Sequence, residues 1–247
     1  MQDRYAGDIG DFGKFQLLRL LFKHTSYKLT QLWFKYPDES HNSDGLHINY
    51  FDKVKGFDSI LEEKLLNISQ NNRSIKALEE AELLANISYF SKEIPFSLED
   101  RKEWFTEAMN TTLKSDFILT DSDNGIATKF NKKLQDIELM DYSLYNKRVK
   151  QGKYIFLDEI DALYDFKASL IIYHHLNRTM AHDKQITILL ENLNSKYKNV
   201  IAIKHKPYSP RVYFILCQNG SIYKELKDKL TIFELDYSLH WKLFHLN

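Results

Sequence analysis

The sequence contains one cysteine, four prolines and eight glycines among its 247 residues. The single cysteine, Cys217, excludes an internal disulfide and any cysteine-based zinc site. The low content of glycine and proline argues against a disordered chain, a collagen-like chain or a repeat of tight turns. No run approaches the roughly 18 consecutive apolar residues of a membrane-spanning helix, and no apolar signal region follows the first residues. We therefore expect a cytoplasmic protein with no membrane partner.

An excess of charge of either sign is also absent. The chain carries 34 basic and 34 acidic side chains, so its formal net charge is zero and no global field attracts it to nucleic acid. Basic residues cluster only locally, in the segments 129–133, 147–153 and 204–211. Residues for a core are abundant, since 43% are hydrophobic and 14% aromatic. Length and composition together predict one domain over residues 1–247.

The apolar pattern alternates along the chain between the period of strands and that of helices. Strands are predicted in KLTQLWFKY, NISYF, SDFILT, KYIFLDEI, ASLIIYHH, NVIAIKHK and RVYFILCQ. Helices are predicted at 12–24, where Asp11 is the cap, in much of 57–84, at 95–113, and in the segments HDKQITILLENLNSKY and SIYKELKDKL. The polar segment 126–151 is interpreted as a helix followed by a loop. Strands that alternate with helices imply parallel βαβ units. The predicted fold is a Rossmann-like three-layer α/β sandwich, with a mostly parallel sheet and a C-terminal antiparallel hairpin.

Polar residues follow several of the predicted strands, where an open parallel sheet binds its ligands. The segment DSDNG (121–125) follows the strand SDFILT, and its glycine permits a tight turn. An isolated segment of this kind is usually an Asx-type turn, whereas a functional loop would present the carboxylates of Asp121 and Asp123 and the amide of Asn124. A calcium site is not predicted, because no bidentate glutamate lies at the required distance. The acidic pair Asp158 and Glu159 follows another strand.

Two further segments contain candidate site residues. The segment YAGDIGDFGK (5–14) places three glycines, Asp8 and Asp11 just before a helix, yet the phosphate-loop pattern fails because Lys14 is followed by phenylalanine and no strand precedes it. The segment YHHLNR (173–178) offers adjacent histidines, which can act as acid or base near neutral pH. They point to opposite faces of a strand, so we expect at most one of them to serve. The pattern leaves open whether His174 or His175 faces the site, and His174 is taken as the catalytic candidate. Zinc-binding spacings are absent, and neither a metal nor a cofactor is predicted.

The motifs YAGDIGDFGK, DxDNG, DEI and YHHLNR together resemble a family of bacterial proteins that usually read D-P-D-N-G at 121–125. The layout is also distantly similar to large-subunit rRNA adenine-N6 methyltransferases, which open with A-G-N-x-A-D-x-x-K-H and carry D-P-P-Y after a middle strand. On that resemblance Ala6, Gly7, Asp11 and Lys14 correspond to the opening motif, and Asp121 to the first residue of the tetrad. The glycine-rich cofactor turn of such enzymes is replaced here by WFKYPDESHNSDG.

Carboxylates, an amide and a histidine on such a scaffold suit hydrolysis of a base–sugar bond, whose transition state resembles an oxocarbenium ion. By analogy of layout, the chain is similar to uracil-DNA-glycosylase-like enzymes. The resemblance to the bacterial family implies a role in antiviral defence, which fits a glycosylase that attacks modified phage bases. The alternatives are an S-adenosylmethionine-dependent methyltransferase, a metal-dependent nuclease and a non-catalytic binding module. The expected partner is nucleic acid, DNA rather than RNA. The predicted catalytic residues are Asp8, Asp11, Asp121, Asp123, Asn124 and His174, and the predicted nucleic-acid-binding residues are Lys14, Arg178, Lys204, Lys206 and Arg211.

Overall fold

The computed structural model describes residues 1–39, 47–48, 50, 58–145, 149–208 and 210–246. The helices within these residues are α1 Ile9–Phe22, α2 Ser59–Asn71, α3 Ile75–Glu80, α4 Leu98–Thr112, α5 Leu157–Asp165, α6 His182–Tyr197 and α7 Gly220–Asp236. The strands are β1 Leu29–Trp33, β2 Ile87–Phe90, β3 Phe117–Asp121, β4 Gly125–Ile126, β5 Thr128–Asn131, β6 Asp136–Leu139, β7 Tyr154–Ile155, β8 Ser169–His175, β9 Val200–His205, β10 Arg211–Leu216 and β11 Trp241–His245. None of these helices is both long and apolar enough to cross a membrane.

The central sheet has seven strands in the order β11-β9-β10-β8-β3-β1-β2. Strands β2, β1, β3 and β8 are parallel, whereas β10 runs antiparallel to both β8 and β9, and β11 antiparallel to β9. The prediction of an α/β fold with a mostly parallel sheet and an antiparallel β9–β10 pair is confirmed at this level. The pair is not the edge of the sheet, however, because β10 packs beside β8 and the unpredicted strand β11 covers β9.

The chain reverses its direction of travel across the sheet beside β1. It passes from β1 to β2 on one side and then returns to β3 on the other. A crevice beyond the carboxyl ends of the strands forms at such a reversal. All five residues of β3 are buried, as expected for an interior strand whose two faces are both covered. Two apolar clusters, one on each face, make up the core.

The structure corrects three predicted elements. Helix α1 begins earlier than expected, because Asp8 and not Asp11 is its cap, accepting hydrogen bonds from the N–H groups of Gly10 and Asp11. The described residues of the segment 126–151 do not form the predicted α-helix. They contain the β5–β6 hairpin and short 3-10 helices instead. The predicted strand KYIFLDEI is only the two-residue β7, which pairs with β4 outside the central sheet, and the chain then enters α5.

Candidate functional site

A cleft of about 810 Å³ opens at the carboxyl ends of β1, β3 and β8, beside the first turn of α1. Most of the predicted site residues meet there, although they come from the beginning, middle and end of the chain. The predicted catalytic residues that line the cleft are Asp8, Asp11, Asp121, Asp123 and Asn124. The predicted binding residues that line it are Lys14, Arg178 and Arg211.

Lys14 lies between two carboxylates of the cleft. Its Nζ is 2.6 Å from Oδ1 of Asp11 and 2.6 Å from Oδ2 of Asp121, and it lies 4.2 Å from the centre of the Trp33 ring. Lys14 and Asp11 are on α1, whereas Asp121 ends β3, so the two ion pairs join the helix to the sheet. All three side chains are more than nine-tenths buried, and a buried lysine needs such partners because a lone charge is strongly disfavoured there. Asp11, Lys14 and Asp121 are called the charged triad below.

The charged triad carries one more negative than positive charge when both carboxyls are ionised. Burial raises the pKa of Asp11 to about 6, an increase that Lys14 opposes and that Asp8 and Asp121 reinforce. Burial alone would lower the pKa of Lys14, but Asp11 and Asp121 outweigh it and hold that pKa above its ordinary value. The two carboxylates thus favour the charged form of Lys14, while burial moves the pKa of Asp11 upward from its ordinary value.

The two carboxylates of the charged triad differ in how their oxygens are engaged. Asp11 uses both, because Oδ1 contacts Lys14 and Oδ2 accepts a hydrogen bond of 2.9 Å from the Gly7 N–H. Asp121 accepts from Lys14 and, at 3.3 Å, from the Gln31 amide on the same oxygen, Oδ2. Among the described residues, these are the hydrogen bonds that its carboxylate receives. Oδ1 of Asp121 is therefore the oxygen that remains for a ligand in the cleft.

Asp123, in the turn after β3, is engaged on both oxygens. Oδ2 accepts a hydrogen bond of 2.6 Å from the Gln2 amide and lies 3.6 Å from Nζ of Lys153, and Oδ1 is 2.6 Å from the Met1 amino group. Burial raises the pKa of Asp123, but the Met1 amino group, Gln2 and Lys153 together bring it below its ordinary value. Gln2 is fully buried and also accepts a 2.9 Å hydrogen bond from the Glu39 N–H. Gln2 thus joins the loop after β1 to the loop after β3 through its side-chain amide.

The turn after β3 packs directly against β8 at Gly125. Gly125 has φ +83°, and a Cβ there would lie 2.3 Å from Cα of His174 and 2.6 Å from the Tyr173 carbonyl oxygen. A glycine is needed because no other residue permits both this φ and this approach. The His174 ring is buried beneath the turn, where its Nδ1 accepts a hydrogen bond of 3.1 Å from the Ile126 N–H.

His174 consequently does not line the cleft, contrary to its predicted catalytic position. Burial, with a smaller contribution from His175, lowers the pKa of His174 to about 3, so its ring is neutral and serves the packing of the turn. His175 projects to the opposite face, lines the cleft and places its Nδ1 3.5 Å from the Tyr173 hydroxyl. Of the two histidines, His175 is therefore the one that lines the cleft.

Two glycines of the segment 5–14 make room for side chains from β9 and β10. A Cβ on Gly10 would lie 2.0 Å from a guanidinium nitrogen of Arg211, and one on Gly13 would lie 2.7 Å from the His205 ring. Arg211 is therefore packed under the first turn of α1 while it lines the cleft. The glycine spacing at this helix entrance follows from close packing and not from the needs of a phosphate loop.

The two predicted binding lysines of the β9–β10 hairpin lie outside the cleft. Nζ of Lys204 is 2.8 Å from the Asp183 carboxylate, and Lys206 donates to the backbone carbonyl of Ser238. Both ammonium groups thus have partners within the fold. Arg178, in contrast, is exposed and lines the cleft.

The acidic pair at 158–159 also lies away from the cleft, because it belongs to the first turn of α5 and not to a strand end. Glu159 forms a fully buried ion pair of 2.7 Å with Arg101 of α4 and accepts a 2.8 Å hydrogen bond from the Tyr142 hydroxyl. This cluster joins two helices and gives Glu159 a role in packing.

Several cleft residues had no role in the sequence-based prediction: Tyr5, Lys153, Tyr208 and Tyr213. One signal for Tyr213 was present. Arg211 and Tyr213 are alternate residues at the start of a strand, and alternate residues of a strand share a face. No comparable pattern marks Tyr5, Lys153 or Tyr208.

Among the described residues, no group of three or more His, Cys, Asp or Glu side chains is arranged to hold a metal ion. No model of a known protein family matches this chain, and no curated protein matches it either. The chemistry of the cleft is therefore the basis for inferring a function.

Proposed function

We propose that the chain is a DNA glycosylase, which hydrolyses the N-glycosidic bond between a base and its sugar and leaves an abasic site. The observation that carries the proposal is the environment of Asp121. Its carboxylate is buried, Lys14 holds it through Oδ2, and its Oδ1 remains for a ligand in a cleft of about 810 Å³. A pocket of this volume suits a nucleotide-sized ligand.

The role of Asp121 follows from the charge that develops in the reaction. When the C1′–N bond breaks, its electrons leave with the base and the sugar becomes cationic. A buried carboxylate stabilises this cation more strongly than an exposed one, because water screens it little. Water then adds to C1′, and the proton that it loses passes to the departed base, so the products are the free base and an abasic sugar. In this mechanism Asp121 stabilises the sugar cation and orients the water, while Asp11 and Lys14 fix the position of its carboxylate.

Other groups of the cleft suit the base. The Asn124 amide offers a donor and an acceptor, the combination that reads the edge of a base. His175 is available to assist the departing base as a general acid. The rings of His47 and Tyr208 line the cleft and pack on each other with their centres 4.8 Å apart. Aromatic rings at the wall of a cleft provide a surface on which an extruded base stacks.

The finer parts of the proposal rest on the resemblance described above. They are the choice of DNA over RNA, a modified base as the target, antiviral defence as the setting and the cytoplasm as the location. The reversal of strand order beside β1 supports a Rossmann-like three-layer arrangement as the scaffold.

An S-adenosylmethionine-dependent methyltransferase fits the cleft less well. Such a cofactor needs close approach to the backbone in the crevice beyond the first strand. In this chain the described part of the loop after β1, residues 34–39, contains no glycine. Glu39 and Asp123, which a cofactor in this crevice would approach, are bonded to each other's loops through Gln2.

A magnesium-dependent nuclease using Asp121, Asp123 and the 158–159 pair is also disfavoured. Glu159 is committed to the buried ion pair with Arg101, so these carboxylates do not meet at one centre. A non-catalytic binding module differs from an enzyme in that it tolerates replacement of Asp121.

The proposal is tested by incubating purified protein with duplex and single-stranded DNA that carry modified phage bases, in the presence of chelator. We expect released base and alkali-labile strand cleavage, both abolished in Asp121→Asn. The absence of base release from every modified DNA, with S-adenosylmethionine raising the melting temperature, would instead support the methyltransferase. Strand cleavage that chelator removes would support the nuclease.

A further inference from the structure

Four hydrogen-bonding side chains form a compact patch where β8 and β10 border the cleft. His175 pairs with Arg211, and Tyr173 pairs with Tyr213, across the two antiparallel strands. Because alternate residues of a strand share a face, all four side chains leave the same face of the sheet, and all four line the cleft. Gly10 of α1 provides the space that the Arg211 guanidinium occupies. Tyr173, His175, Arg211 and Tyr213 are called the donor patch below.

The Tyr213 hydroxyl is the most informative member of the donor patch. Only 1% of the Tyr213 surface is exposed, and its hydroxyl has no hydrogen-bond partner among the described residues. A buried hydroxyl without a partner costs stability. The side chain nevertheless reaches the wall of the cleft, so a ligand there can accept the hydrogen bond that the fold does not provide.

The chemistry of the donor patch selects an oxyanion. A guanidinium binds two oxygens of a phosphate group at once, and the tyrosine hydroxyls add single hydrogen bonds. The charged triad adjoins the donor patch, because β3, which ends at Asp121, pairs with β8, and Gly10 of α1 packs on Arg211. Asp8, the cap of α1, interacts with Arg211. A nucleotide fits this arrangement, with its sugar toward Asp121 and its phosphate toward Arg211 and Tyr213.

We propose that the donor patch is a phosphate-binding subsite, which holds the phosphate group of the nucleotide whose base is removed. The substrate is then a nucleotide unit, and a free nucleoside lacks the group that Arg211 and Tyr213 bind. The identity of the ligand as a nucleotide rests on the proposed function, whereas phosphate binding itself requires no catalysis.

The test compares Tyr213→Phe with a matched control, Tyr89→Phe. Tyr89 is in β2, outside the cleft, and its buried hydroxyl also has no hydrogen-bond partner among the described residues. Each variant removes one unpartnered hydroxyl, so in phosphate-free buffer neither should melt below the parent protein. Inorganic phosphate is titrated into all three proteins by calorimetry at constant ionic strength.

We expect the phosphate Kd to rise roughly tenfold in Tyr213→Phe, the loss of one hydrogen bond to a charged acceptor, and to stay unchanged in Tyr89→Phe. A parent protein that binds no phosphate, or a Tyr213→Phe variant with the parental Kd, overturns the subsite. The same titration with a nucleoside 5′-monophosphate and with a short oligonucleotide shows whether the phosphate is a terminal monoester or a diester within a strand. The ligand whose affinity falls in Tyr213→Phe identifies that source.

Failure of the subsite and failure of the proposed function give different results. Phosphate binding that depends on Tyr213, without base release from any DNA, overturns the glycosylase and supports the subsite. If Tyr213→Phe releases base with the same KM and the same phosphate Kd as the parent protein, the glycosylase proposal is retained and the subsite is overturned.

Discussion

The charged triad allows a matched pair of substitutions that separates catalysis from packing. Asp121→Asn and Asp11→Asn each remove one carboxylate charge from the partners of Lys14, and each leaves the other carboxylate 2.6 Å from its Nζ. Both variants therefore retain one neutral buried ion pair. They differ in the cleft, because only Asp121 has an oxygen that no described residue engages.

The expected magnitudes follow from this difference. Asp121→Asn should lower the single-turnover rate of base release on the order of a hundredfold or more, the typical cost of removing one electrostatic group that acts on the transition state. Asp11→Asn should lower that rate by less than about tenfold, since Lys14 still holds Asp121 in place. The free energy of unfolding should change by less than roughly 2 kcal/mol in each, because neither variant leaves an unpaired buried cation.

Single-turnover rates are read beside urea unfolding of the same preparations. Equal rates for Asp121→Asn and the parent protein would remove Asp121 from the mechanism. Equal losses in the two variants, with stability unchanged, would show that the triad acts as a unit and that the distinction between its carboxylates is mistaken. In either variant, a rate loss accompanied by a proportionate loss of stability would assign the residue to packing.

Three further predictions concern stability. Lys14→Met leaves two buried carboxylates without their cation and should lower the free energy of unfolding by about 3–5 kcal/mol; a loss below about 1 kcal/mol in urea titrations would contradict the ion pairs. The pKa of His174 is lowered from 6.5 to about 3, so the stability it contributes is complete above pH 6.5 and falls, by up to about 5 kcal/mol, as the pH drops toward 3. His174→Asn removes this titration, so its free energy of unfolding should fall less than that of the parent protein between pH 7 and pH 4. Equal losses in the two proteins, measured by urea unfolding at both pH values, would argue against a buried neutral ring. Gly125→Ala places a Cβ against the backbone of β8 and should cost about 2 kcal/mol or more; a parental melting temperature would refute that close approach.

The elements with strong local periodicity were predictable from the sequence. The segment HDKQITILLENLNSKY forms α6 residue for residue, and the last four residues of SDFILT, together with Asp121, form the buried strand β3. The segment 126–151 was not predictable, because β5 and β6 are too short to carry a clear period and are defined by their pairing with each other. β11 is a five-residue strand of the same kind, which only its pairing with β9 identifies.

The sequence by itself indicated that Asp121 and the residues after it lie at the end of a buried strand, because burial of both strand faces leaves ligand-binding groups to the strand ends. It could not determine which of two adjacent histidines faces the cleft, since a strand presents both faces with equal local propensity. The approach of Gly125 to β8 decided that, by covering His174 and leaving His175 in the cleft. Tertiary packing likewise decided that Lys14 pairs with an aspartate 107 residues away, because the energy of a buried charge depends on partners that only the folded chain brings together.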